Sequence, residues 1–114
     1  MARDQIDAAR MSLAAGFGFQ AVSTAYYAML YAARAALSEE DLYAKTHGGT
    51  WNLFGQTFVD SGRFDPVLLA DARGTQEDRT GTDYEAARPS DERANEIVAL
   101  AERFVDAVAE LVGD

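Results

Sequence analysis

At 114 residues with 48% hydrophobic composition, the chain is long enough for one domain with a real core, expected over residues 1–114. It has no cysteine, which excludes a disulfide framework, a thiolate metal site and a cysteine nucleophile. Its net charge of −9 disfavours broad adhesion to DNA or to an anionic membrane, although a small basic pocket is compatible with it.

The first residues carry acids and no compact apolar block, so no signal peptide is read there and the cytoplasm is the expected location. Residues 4–15 read as a first helix, with Ile6, Ala9, Leu13 and also Met11 as inward candidates and Asp4, Asp7 and Arg10 outward. Gly16 and Gly18 punctuate the join to the next element.

Phe19 to Leu37 has no Gly or Pro and a single charge, Arg34. Val22, Tyr26, Met29, Ala33 and Leu37 form one apolar stripe at helical spacing, and Ala21, Ala25, Ala28, Ala32 and Ala35 form a second of small residues. Such a helix, apolar nearly all round and about 30 Å long, is expected at the centre of the fold. Arg34, three tyrosines, Ser23 and Thr24 argue against a membrane span.

After a charged turn, Thr46 is placed to cap a third helix whose inner face is Trp51, Phe54 and Phe58, with Gly62 ending it. Asp65-Pro66 restarts the chain as cap and first helical residue, and Val67, Leu68, Leu69 and Ala72 are expected to anchor a fourth helix. Its second half, Arg73 to Arg79, has no large apolar residue and is either frayed or turned toward a polar site. Residues 80–90 form the longest connection. Ser90 then caps a last helix, in which Ala94, Ile97, Ala101, Phe104, Val108 and Leu111 repeat as one seam. The expected fold is all-α, an up-down four-helix bundle with an additional short helix.

Two polar clusters stand out. Lys45-Thr46-His47-Gly48-Gly49 brings the only Lys and the only His together at a helix start. A helix N-terminus favours anions and a His there can act as acid or base; the plainer reading on spacing alone is a capping turn. Arg79-Thr80-Gly81-Thr82-Asp83-Tyr84-Glu85 offers a fixed cation suited to phosphate, an acid to orient it and a phenol; here the plainer reading is an exposed loop with a weak ion pair. Tyr26, Tyr27 and Tyr31 read first as core or interface, and second as a surface for stacking on a base. One His and no Cys leave little for a metal, and neither metal nor cofactor is expected.

AVSTAYYAMLYAARAAL, then KTHGG-x-x-x-LFGQ-x-F, then a DYE segment and a terminal amphipathic helix together resemble the small HEPN-domain proteins of prokaryotes, from about Ile6 to Val112. The resemblance implies a helical bundle that forms homodimers, often encoded beside a minimal nucleotidyltransferase as a toxin–antitoxin pair. Many such proteins are metal-independent ribonucleases whose Arg and His meet across the dimer, and the partner enzyme can attach AMP to a Tyr near that motif. Carried onto this chain, Arg79 matches the motif Arg, while the motif His falls near Tyr84. A tyrosine titrates near ~10 against ~6.5 for histidine, so the usual acid–base group is lost. The resemblance therefore implies a nucleotide-binding and interaction module using Lys45, His47, Arg79, Asp83 and Tyr84, with Tyr84 as an adenylylation site. The alternative is a ribonuclease in which Arg79 works with His47, placed across the bundle, or with Tyr84. The expected dimer surface contains Tyr27, Tyr31 and the polar end of the fourth helix.

Overall fold

The computed structural model describes residues 2–80 and 89–113, the side chains of Arg79 and Thr80 excepted. Asp83 and Tyr84 therefore lie outside the described residues. Five helices follow in order: α1 (Ala2–Ala14), α2 (Gly18–Glu39), α3 (His47–Phe54), which runs on as a π-helical turn (Gly55–Val59), α4 (Pro66–Thr80) and α5 (Asp91–Leu111). Among the described residues there is no strand.

Helix α2 is the axis, and α1, α3, α4 and α5 all pack on it. Both expected stripes supply its buried face: Val22, Tyr26, Met29, Ala33 and Leu37, and Ala21, Ala25, Ala28 and Ala32. Ala35 departs from this pattern. It is exposed and Ala36 is buried instead, and both border an open groove of about 290 Å³ between α2 and α5. The small side chains let neighbouring helices approach closely, and a Cβ on Gly18 would lie 3.6 Å from that of Ala94 on α5.

Helix α5 buries Ala94, Ile97, Ala101, Phe104 and Val108 as its spacing requires, with Leu111 at the margin. The Ser90 hydroxyl oxygen accepts from the Arg93 N–H and closes its first turn. Phe104 is the hub of an aromatic cluster, 5.9 Å from Trp51, 5.8 Å from Phe54 and 5.3 Å from Phe64 by ring centroids. The π-turn keeps Phe54 and Phe58 both in this core, 4.9 Å apart, where the sequence reads as one uninterrupted helix.

Three chain reversals share one hydrogen-bond pattern. Leu42 N–H donates to Leu37 O while Asp41 N–H donates to Ser38 O. Phe17 and Gly16 do the same at the end of α1, and Arg63 and Gly62 after the π-turn. This double bond pattern needs a left-handed residue at its centre, and Gly16 (φ +84°), Asp41 (φ +58°) and Gly62 (φ +78°) occupy those positions.

Two inward candidates are corrected. Met11 is 73% exposed and Val67 64% exposed; each lies about 140° or more round its helix from the residues that do reach the core, Ile6 and Ala9 in α1, Leu69 and Ala72 in α4. The polar second half of α4 is helical to Thr80, so it is not frayed.

Candidate functional site

The Lys45–Gly49 segment is a capping turn built as part of a larger polar cluster. Thr46 is extended (φ −112°, ψ 161°) and its Oγ1 accepts from the Gly49 N–H at 2.9 Å. Gly49 is required there, since a Cβ would sit 2.8 Å from Thr46 Oγ1. Thr50, fully buried, donates its hydroxyl to Thr46 O at 2.8 Å and accepts from Arg34 Nε at 3.3 Å. The cap thereby fixes the first turn of α3 against α2, and with it the half-buried His47; Lys45 is exposed beside it.

The centre of the cluster is the Tyr26 hydroxyl. Tyr26 is fully buried, and a buried phenol needs hydrogen-bond partners. Three meet at its oxygen, two from α3 and one from α4. Trp51 Nε1–H donates to it at 3.1 Å from α3. Tyr26 donates to Gln76 Oε1 at 2.8 Å on α4. His47 Nδ1 lies 3.4 Å away. The His47 ring is bordered by Tyr26 and by Tyr27, which meets it edge to face with centroids 5.8 Å apart. Tyr27 and the half-buried Tyr31 follow at 5.8 Å. The three tyrosines thus divide: Tyr26 is core, and Tyr27 and Tyr31 lie along the edge of the site.

Helix α4 is held in register for this contact. Thr75 is buried and donates its hydroxyl to Ala72 O at 2.7 Å. Asp78 receives two hydrogen bonds from Arg93 on α5, at 3.1 and 3.0 Å. The hydrogen bond to Asp78, opposed by partial burial, holds the Arg93 guanidinium above its ordinary value. Between these anchors, Gln76 reaches Tyr26. Arg79 follows three residues later on the same helix, about 4.5 Å further along its axis.

Of the residues singled out from the sequence, the structure brings His47 to the aromatic end of α2 and puts the Arg79 backbone one helical turn beyond a residue that shares a partner with His47. Gln76 and Arg34 are members that spacing did not identify, and Tyr26 was read as core or as a stacking surface, not as a shared hydroxyl. The signal available for Tyr26 was a hydroxyl in an otherwise apolar stripe; Gln76 was visible only as part of a polar half-helix. Among the described residues, no group of three or more His, Cys, Asp or Glu side chains is arranged to hold a metal ion, and no helix is long and apolar enough to cross a membrane.

The family described as HEPN domain matches residues 1–111. The chain belongs to the HEPN-domain family. A protein of Methanocaldococcus jannaschii named "Putative toxin" is 31% identical over 108 residues, covering 95% of this chain and 81% of the relative. Two relatives named UPF0332 proteins are similar throughout: one from Gloeobacter violaceus at 32% identity, covering 97% of this chain and 90% of the relative, and one from Thermotoga maritima at 30%, covering 99% and 86%. In this HEPN domain, the chemistry at hand is one imidazole at a helix start, one arginine a turn beyond Gln76, and a row of tyrosines. An imidazole can move a proton, and aromatic rings offer their faces to a planar group.

Proposed function

We propose that this HEPN protein is the helical member of a toxin–antitoxin-like pair with a minimal nucleotidyltransferase. Lys45, His47, Arg79, Asp83 and Tyr84 together bind a nucleotide. The observation that supports the reading is the common Tyr26 hydroxyl, which ties His47 on α3 to Gln76 on α4, one turn from Arg79. A phosphate between an arginine fork and a helix start gains charge-assisted hydrogen bonds from both. The relative named "Putative toxin" supports the toxin side of this reading. The working unit is a homodimer, with Tyr27 and Tyr31 at the contact, and Tyr84 accepts AMP from the partner enzyme. Titration of AMP followed by calorimetry tests the site. Arg79→Ala is expected to weaken binding by about tenfold or more, the loss of one charge-assisted hydrogen bond. Equal affinity in the two proteins excludes the site.

The same observation favours a second reading, a metal-independent ribonuclease. In-line attack by a ribose 2′-hydroxyl needs a base and a charge stabiliser, and His47 with Arg79 supplies those two groups. Purified protein incubated with mixed RNA in EDTA is expected to cleave it, and His47→Ala and Arg79→Ala are each expected to lose at least a hundredfold in rate. Full cleavage in either variant removes that residue from the mechanism.

A further inference from the structure

Ten basic residues share this chain with nineteen acidic ones, so a carboxylate is at hand for most cations. Arg3, Arg10, Arg63 and Arg93 each pair with one. Among the described side chains, Arg34, Lys45, Arg73 and Arg103 make no ion pair. Arg103 lies in a groove with Asp71 and Glu96. The other three gather round α3. Arg34 Nε donates to Thr50 Oγ1 from α2, Arg73 donates to Asn52 Oδ1 at 2.9 Å from α4, and Lys45 is exposed just ahead of the Thr46 cap. Residues 42–59, which span α3 and its π-turn, hold no Asp or Glu. We propose that the surface around α3 is a binding site for single-stranded RNA, in which Arg34, Lys45 and Arg73 contact successive phosphates and Tyr43 stacks on a base.

Thr50 and Asn52 are two positions apart on a helix of about 3.6 residues per turn, so their side chains leave α3 on opposite flanks. The guanidinium groups they hold stand on either side of a helix about 10 Å across. That separation is too wide for one phosphate and suits a chain that carries several. Each arginine spends one donor on a neutral oxygen and keeps the rest of its fork for a ligand. Tyr43 is 75% exposed and lines a small pocket with Arg34. An open ring beside a guanidinium without a carboxylate is the combination that single strands use, because every nucleotide brings a base to stack and a phosphate to bind. An acidic protein surface would satisfy the cations and leave the ring unused. The net charge of −9 opposes approach at a distance, so affinity comes from these local contacts and falls with salt. The role in function rests on the ribonuclease reading above; the binding itself rests on the cations and the ring.

The test uses the full chain and a fluorescein-labelled oligoribonucleotide of mixed sequence with 2′-O-methyl sugars. This probe lacks the attacking hydroxyl, so anisotropy reads binding whether or not the protein cleaves RNA. The wild type is expected to bind, with affinity falling linearly in log salt. Lys45→Ala and Arg73→Ala are each expected to weaken binding about fivefold and to reduce the salt slope by about 0.7. Tyr43→Ala is expected to weaken it by about fivefold with the slope unchanged. Arg34 also bonds the buried Thr50, so the exposed Tyr43, Lys45 and Arg73 report even where Arg34→Ala unfolds. Arg103→Ala removes the same charge from α5 and is expected to leave affinity within about twofold. Absence of salt-dependent binding by the wild type, or a loss in Arg103→Ala equal to that in Arg73→Ala, overturns the proposal. Cleavage of unmodified RNA is scored separately. Binding without cleavage removes the ribonuclease reading alone, and cleavage at low RNA concentration that Tyr43→Ala and Arg73→Ala leave unchanged removes the α3 surface alone.

Discussion

At the scale of single residues, the molecule concentrates its polar costs at one atom. The Tyr26 oxygen satisfies the indole N–H of Trp51, which is 1% exposed, and the amide of Gln76 at once. Removing it in Tyr26→Phe leaves a buried donor without that acceptor while the ring volume is kept. The expected loss is about 1–3 kcal/mol of unfolding free energy, read from urea denaturation at unchanged slope. Phe104 has the opposite character. Its ring meets Trp51, Phe54 and Phe64, so Phe104→Ala opens a cavity among rings that cannot collapse together, and about 3–5 kcal/mol is expected to be lost in the same measurement. Asp78 and Arg93 contribute less, because Arg93 is 42% exposed and the pair is open to solvent screening; their importance is that they hold α4 in the register that presents Gln76.

At the scale of elements, the chain ends three helical segments by the same device and uses an aspartate in one of them. Gly16 and Gly62 adopt a left-handed φ without cost, whereas Asp41 at φ +58° carries a Cβ into that region. Asp41→Gly is therefore expected to stabilise the protein by about 0.5–1 kcal/mol, seen as a rise in Tm of a few degrees with the fold unchanged by circular dichroism. A lower Tm would mean that the greater freedom of glycine in the unfolded chain outweighs the relief of strain. Element boundaries of this kind were legible in part. Thr46, Ser90 and Asp65 were read as caps from residue type and position, and each makes its expected hydrogen bond: Gly49 N–H to Thr46, Arg93 N–H to Ser90, and Val67 N–H to Asp65 Oδ1. The π-turn at Gly55–Val59 was not legible. It coincides with a close tertiary approach: a Cβ on Gly55 would lie 3.3 Å from Leu69 Cδ2, so α4 crosses close to the backbone there.

At the scale of the whole molecule, periodicity carried the architecture. The stripes of α2 and the 3-4 seam of α5 point inward because a helix with that spacing has no other way to bury them. From the sequence the site reads as two separate clusters, joined only in the alternative where His47 works with Arg79 across the bundle; of the second cluster the structure describes the backbone of Arg79 and Thr80. His47 and Gln76 are 29 positions apart, and the bridge between them, Tyr26, was hidden in an apolar stripe where a phenol reads as one more ring. Met11 and Val67 show the reverse error, apolar residues assigned inward by type although their helical angle turns them out. Family membership came from local strings such as AYYAM and KTHGG, and the structure gives those strings a physical connection: the first supplies the hydroxyl and the second the imidazole that meets it.

The open groove between α2 and α5 has a further consequence. Ala2 and Val112 line it from opposite ends of the described chain, and Arg3 pairs with Asp106 alongside. The start of α1 and the finish of α5 are therefore neighbours in space. A short Gly/Ser tether joining them would close the polypeptide into a ring with no helix displaced. That ring could then be reopened between Tyr43 and Ala44, making α3 the leading helix and α2 the trailing one. The contacts that bind four helices to one axis do not depend on the order in which the backbone visits them.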